Sequence, residues 1–151
     1  MLFRSAEFAH ARRRGKPLAL AALGVDGLGR IEVRHGPEAR DMGLSAFAER
    51  LGQAVRTEDV LARESDDAFV LVLRDTAPGL ALLVGERLRR AMEALELAFE
   101  GWPLNLRLSV GLAGSIDDHC PSAEALLAQA LDYLAQAREA GGNRCAAKPR
   151  T

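Results

Sequence analysis

Two places in this sequence carry acidic side chains where a fold could put them to chemical use. Asp26 closes the apolar run Leu18 to Val25, and Glu64-Ser65-Asp66-Asp67 separates two further apolar runs. Carboxylates at a strand end and a hairpin tip can accept hydrogen bonds or face a cation, and both positions are open to a ligand. A third arrangement pairs opposite charges, with Arg56 and Asp59 three residues apart. Cys120 and Cys145 show no metal-ligand spacing with His10, His35 or His119, so they read as free thiols and no metal site is assigned.

The elements that must position these groups follow from periodicity. Phe3 to Arg14 predicts a helix ending at Gly15, with Arg12, Arg13 and Arg14 as its solvated end. Leu18 to Val25 predicts a buried central strand. Pro37 opens a helix that carries Leu44, Phe47, Ala48, Leu51 and Val55 at helical spacing. Val60 to Ala62 and Phe69 to Leu73 predict a hairpin with a polar tip. Pro78 begins a helix whose inner face is read as Leu80, Leu83, Val84, Leu88, Ala91, Met92 and Leu95, with Arg87, Arg89 and Arg90 on its polar side. Leu104 to Val110 alternates with Asn105, Arg107 and Ser109 as a half-buried strand. Ser122 caps a last helix closed by Gly141 and Gly142, and a short strand is expected near Arg144 to Ala147.

That order, with a hairpin in its middle, predicts an α/β (α+β) sandwich around a mostly antiparallel sheet of about five strands flanked by helices. No repeat or linker divides residues 1–151, which read as one domain. The 48% hydrophobic and 27% charged fractions suit an ordinary globular protein, and 20 basic against 21 acidic residues give a net charge of −1. Such a balance gives no support to nucleic-acid or membrane-surface binding, so an anionic ligand needs a local cation cluster. Pro17 to Leu23 is too short to cross a bilayer and the start lacks a signal-peptide core, which predicts a cytoplasmic location without membrane insertion.

The string Arg13-Arg14-Gly15-Lys16-Pro17-Leu18-Ala19-Leu20 ahead of the first strand resembles the GGDEF domain of diguanylate cyclases. Gly36 and Asp41, Ala62-Arg63, Phe69, Ser109-Val110-Gly111 and Gly141-Gly142-Asn143-Arg144 agree with it in the same order. The resemblance spans Phe3 to Ala147, and the family's usual opening segment is missing, as if the N-terminal part were truncated. It implies a cyclase-like sheet in which carboxylates fix divalent metal and two GTP molecules are joined across a dimer.

Measured against that pattern, several residues differ. The signature Gly-Gly-Asp/Glu-Glu-Phe falls on Ser65-Asp66-Asp67-Ala68-Phe69, so both glycines and the second acidic residue are replaced. The metal carboxylate of the first strand is Gly24 in the triplet Gly24-Val25-Asp26, the guanine-reading Asn is Glu32, and its companion Asp is Asp41. The family's phosphate-side Lys is Arg138 and its Arg is Gly142. This degenerate set implies a domain that is not an enzyme and takes no cofactor.

What the resemblance leaves intact is an inhibitory-type Arg-x-x-Asp, Arg56-Thr57-Glu58-Asp59, five residues ahead of the tip, with Arg87 on the following helix. An Arg fork can donate to guanine O6 and N7 or to phosphate, and an Asp can accept from guanine N1 and N2. The expected function is therefore a cyclic di-GMP-binding regulatory module, working with another signalling domain or protein or as a homodimer. The alternatives are a ligand-free dimerisation or docking module and a GTP-binding allosteric domain.

Overall fold

The structure is a computed structural model describing residues 17–114 and 122–149. The helix expected over Phe3 to Arg14 lies outside these residues, as do His10, His119 and Cys120. The elements run β1 (Leu18–Asp26), α1 (Leu28–His35), α2 (Pro37–Ala54), β2 (Val60–Ser65), β3 (Ala68–Arg74), α3 (Pro78–Glu93), β4 (Leu97–Phe99), β5 (Trp102–Leu104), β6 (Arg107–Gly114), α4 (Ala123–Glu139) and β7 (Cys145–Ala146).

Five strands form one sheet in the order β2-β3-β1-β6-β7, antiparallel except for the parallel β6–β7 pair, and β4–β5 forms a small hairpin of its own. This is the expected α+β fold with its mostly antiparallel five-stranded sheet. The β2–β3 hairpin lies at one side of the sheet, and β1 is its centre.

β1 is apolar from Leu18 to Val25 because both of its faces are covered. Ala19, Ala21, Leu23 and Val25 join one core with Phe47 and Leu51 of α2 and Leu88 and Met92 of α3. Leu18, Leu20 and Ala22 point the other way, into a core with Leu126, Ala130 and Leu134 of α4. Successive strand residues face opposite layers, so a strand between two layers cannot alternate apolar with polar.

The same logic corrects the reading of Leu104 to Val110. Leu104 ends β5, while β6 begins at Arg107 and is buried from Leu108 onward, including Ser109. Its alternation of Leu and polar residues looked half-buried, but both faces of β6 are packed. On α3 the buried stripe is Ala81, Val84, Gly85, Leu88 and Met92. Leu80 and Leu83 are 47% and 67% exposed, outside the inner face assigned to them. Arg89 also departs from the polar side; its side chain is 15% exposed and turned inward.

α1 was not expected from the sequence, where Gly27 marked only the end of the first apolar run. Gly27 has φ +105°, and a Cβ there would lie 2.8 Å from the Asn105 carbonyl oxygen. Glycine makes that left-handed entry to the helix possible. Only Leu28 and Ile31 of the helix are buried, too few to show a period.

The tightest packing joins α4 to β6. A Cβ on Gly111 would meet the Ala130 carbonyl oxygen at 2.1 Å and the Leu134 nitrogen at 2.2 Å. Neither contact is with a movable side-chain end, so relief requires the helix to shift. Gly111→Ala should lower stability by about 3 kcal/mol or more, measured by urea unfolding. Gly52→Ala, in α2 with nothing within 4 Å of the added carbon, should instead raise it by about 0.5–1 kcal/mol.

Candidate functional site

A cleft of about 360 Å³ opens where β1, the β2–β3 tip and the C-terminal end of α4 meet. Its walls include Asp26, Gly29, Asp67, Arg138 and Gly142. Asp26 ends β1 and is held in place on one oxygen: its Oδ2 accepts from Ser109 Oγ at 2.6 Å and from the Asn143 backbone N–H at 3.0 Å. Asn143 makes that contact with φ 51°, directly after Gly141 and Gly142, both also at positive φ. Arg138 reaches in from α4, with Nε 3.4 Å from Asp26 Oδ1 and Nη2 3.3 Å from Asp67 Oδ2.

The hairpin tip is built without glycine. Ser65 and Asp66 are exposed, and Asp67 is half-buried. Among the described non-glycine residues positive φ occurs only at Asp75, Glu100 and Asn143, so the tip has no left-handed position for a Cβ to strain. Arg63 clamps it, with Nε donating to the Ser65 carbonyl at 3.0 Å and Nη2 to the Asp66 carbonyl at 2.8 Å. The Asp67 carbonyl accepts from the Val25 N–H at 2.8 Å, tying the tip to the end of β1.

Glu32 and Asp41 lie together on α1 and α2, on either side of Arg40, each with an oxygen 3.8 Å from its guanidinium. Asp41 is 77% exposed, so this loose pairing contributes little.

A second candidate site follows α2. Arg56 donates through Nε to Asp59 Oδ2 at 2.7 Å and through Nη2 to Oδ1 at 2.9 Å, a two-bond fork. Nη2 also donates to Thr76 Oγ1 at 3.1 Å, and the Thr76 hydroxyl donates to the Arg74 carbonyl at 2.7 Å. The Asp59 side chain is 1% exposed against 30% for Arg56. Asp59 therefore aims the guanidinium and Arg56 presents it to solvent. The hydrogen bond to Asp59 raises the Arg56 pKa beyond its already high ordinary value. Arg87 is exposed on α3 and donates to the Ala54 carbonyl at 3.5 Å, two residues ahead of Arg56. The structure thus pairs Arg56 with Asp59 and fixes Arg87 at the end of α2.

Sequence reasoning named Arg89 and Asn143 but not the network that they form beside the cleft. Arg89 donates to Glu86 and, at 3.1 Å, to Asn143 Oδ1, while Asn143 Nδ2 donates to Glu93 at 2.6 Å. The Arg89 hydrogen bonds hold the Glu86 carboxyl below its usual range, and Asn143 does the same for Glu93. Ser109 was legible as the polar face of a half-buried strand and as part of Ser109-Val110-Gly111, not as a partner of Asp26, and nothing in sequence marked Thr76.

The fold and the cleft define a cyclase-like α+β domain with acidic groups at the strand ends. The GGDEF family, "Diguanylate cyclase, GGDEF domain", matches residues 3–144, and the chain belongs to that family. It is 32% identical over 139 residues to the diguanylate cyclase DosC of Escherichia coli K12, covering 91% of this chain and 30% of that protein. The chain therefore spans about a third of the length of such curated relatives. In structure it resembles the active GGEEF domain of a Vibrio cholerae diguanylate cyclase (TM-score 0.87, 19% identity, covering 99% of this chain and 94% of that one). It likewise resembles the GGDEF domain of DgcB from Caulobacter crescentus, solved in complex with c-di-GMP (TM-score 0.87, 20% identity, covering 95% and 84%).

These relationships overturn the expectation that the domain is not an enzyme. Curated relatives that it matches, DosC among them, are named diguanylate cyclases. Gly24, Ser65, Asp66 and Ala68 are departures from a motif, and departures at single positions do not establish what a whole domain has lost. No described helix is long and apolar enough to cross a membrane.

Cys145 borders this network. Burial pushes its thiol from an ordinary 9.0 up to about 12, and the hydrogen bond it donates to Glu86 adds to the rise. A raised thiol pKa favours the folded state below the unfolded value, and that contribution is lost as pH rises from about 9 toward about 12. At mildly alkaline pH, mass spectrometry should find Cys145 alkylated at least about tenfold more slowly in the folded chain than in urea.

Proposed function

We propose that this GGDEF domain is a regulatory module that binds cyclic di-GMP through Arg56, Asp59 and Arg87. The observation that carries the reading is the Arg56 fork, fixed by a buried carboxylate and by Thr76 while still reaching solvent. A guanidinium already aimed loses less freedom when it meets guanine O6 and N7 or a phosphate oxygen. These three bonds use Nε and Nη2, which leaves Nη1 as a donor for the ligand. Asp59 acts chiefly by aiming Arg56, and Arg87 supplies a second cation toward the phosphates. The DgcB GGDEF domain in complex with c-di-GMP supports the ligand class.

In this reading the tip Ser65-Asp66-Asp67-Ala68-Phe69 is a degenerate form of the family signature, built around Arg63. A cytoplasmic setting is part of the proposal, supported by the free thiol of Cys145. A second reading, a dimerisation or docking module, is favoured by Leu80, Leu82 and Leu83, which leave an apolar stripe exposed on α3.

Calorimetric titration with cyclic di-GMP tests the proposal. Binding is expected, with Arg56→Ala weakening it about thirtyfold, roughly 2 kcal/mol. Arg87→Ala should weaken it about tenfold, Ser65→Gly should leave it unchanged, and added salt should lower affinity modestly. Absence of both heat and a melting shift with excess ligand would leave the docking reading in its place.

A further inference from the structure

The family's chemistry implies a divalent ion in the cleft, and the donor set of this chain does not fit one. Magnesium takes six oxygen donors in near-octahedral order, usually including carboxylates. Among the described residues no group of three or more His, Cys, Asp and Glu side chains is gathered around one point. Gly24 brings no carboxylate, and the oxygens of Asp26 and Asp67 are engaged within the chain. Asp26 Oδ2 accepts from Ser109 and Asn143, and its Oδ1 faces Arg138. Asp67 Oδ1 accepts from Ser65 Oγ at 3.3 Å and Oδ2 from Arg138 Nη2 at 3.3 Å.

Arg138 occupies the space that the missing side chain at position 24 leaves. A Cβ on Gly24 would lie 2.5 Å from Nη2, 2.8 Å from Cζ and 2.9 Å from Nε of Arg138. The guanidinium can rest there only because residue 24 has no side chain. From that place Nη2 also reaches the backbone carbonyls of Val25 and Asp67, at 3.5 and 3.4 Å. One planar cation thus faces two carboxylates and two carbonyls, the kinds of oxygen that would otherwise surround a metal.

We propose that Arg138 is the resident cation of this cleft, holding Asp26 and Asp67 together in place of a divalent ion. The proposal concerns which cation fills the cleft and is independent of ligand binding at Arg56. With the guanidinium present, the two carboxylates and Arg138 sum to a single negative charge; without it, two unneutralised carboxylates remain in a partly screened cleft. The first state holds a divalent ion weakly and the second attracts one.

Paramagnetic broadening by Mn²⁺ tests this on the full chain without nucleotide, read at the backbone amides of Asp26, Asp67 and Gly142. In the unaltered chain these signals should stay sharp through millimolar Mn²⁺. Arg138→Met should make them broaden, with affinity at least about tenfold tighter than in the unaltered chain, and adding Gly24→Asp should tighten it further. Gly24→Asp alone forces a carboxylate against Arg138 and should gain less than the double change. Site-specific broadening of the unaltered chain at the Mn²⁺ concentrations that act on Arg138→Met would overturn the proposal. If Arg138→Met does not fold, the unaltered chain still decides: selective broadening of these three amides at submillimolar Mn²⁺ sinks the idea.

Discussion

Everything at the carboxylate end of this domain depends on how closely α4 lies against β6. At Gly111 the helix backbone approaches the strand where even a methyl group would collide with Ala130 and Leu134. That contact fixes the height of the helix over the sheet. Arg138 sits one turn beyond Leu134, and the loop from Gly141 to Asn143 follows directly. A helix held further off would carry both away from Asp26 and Asp67. The reach of a guanidinium and the aim of one backbone N–H are therefore set by the absence of a side chain at a distance in sequence.

The two charged regions share α3 between them. Arg87 points out toward the end of α2, while Arg89, two residues on, points in toward Asn143. Asn143 in turn bonds Glu93 through its side chain and Asp26 through its backbone. Two residues apart on a helix is roughly half a turn, so neighbouring cations on one element naturally serve opposite faces. The hydrogen-bonded route from α3 to Asp26 is continuous through Asn143.

The sequence disclosed what repetition and punctuation encode. Pro37 and Pro78 open α2 and α3, Ser122 caps α4 through its side chain, and the apolar run of β1 becomes a strand between two layers. It hid what depends on the third dimension. Leu80 and Leu83 fit a helical period but lie on the side that faces solvent, because periodicity finds a stripe without saying which neighbour covers it. Ser109 looked like the outer face of a half-buried strand until both sheet faces proved to be covered. Arg56 and Asp59 were legible as a spaced pair, whereas the role of Thr76 beneath them required the strand that brings residue 76 beside residue 56. Gly24 read as a deletion of function; its contact with Arg138 shows a space that another residue fills.

The free margins of the sheet are both blunted, in different ways. β2 pairs only with β3 among the described residues, and its register shifts between Arg63 and Ser65 where the strand nears its charged end. β7, at the other margin, offers just Cys145 and Ala146. A shifted, charged edge and a two-residue edge are both poor templates for adding a strand from another molecule. On these two edges, association through side chains, whose composition can be tuned residue by residue, is favoured over extension of the backbone ladder, which accepts partners indiscriminately.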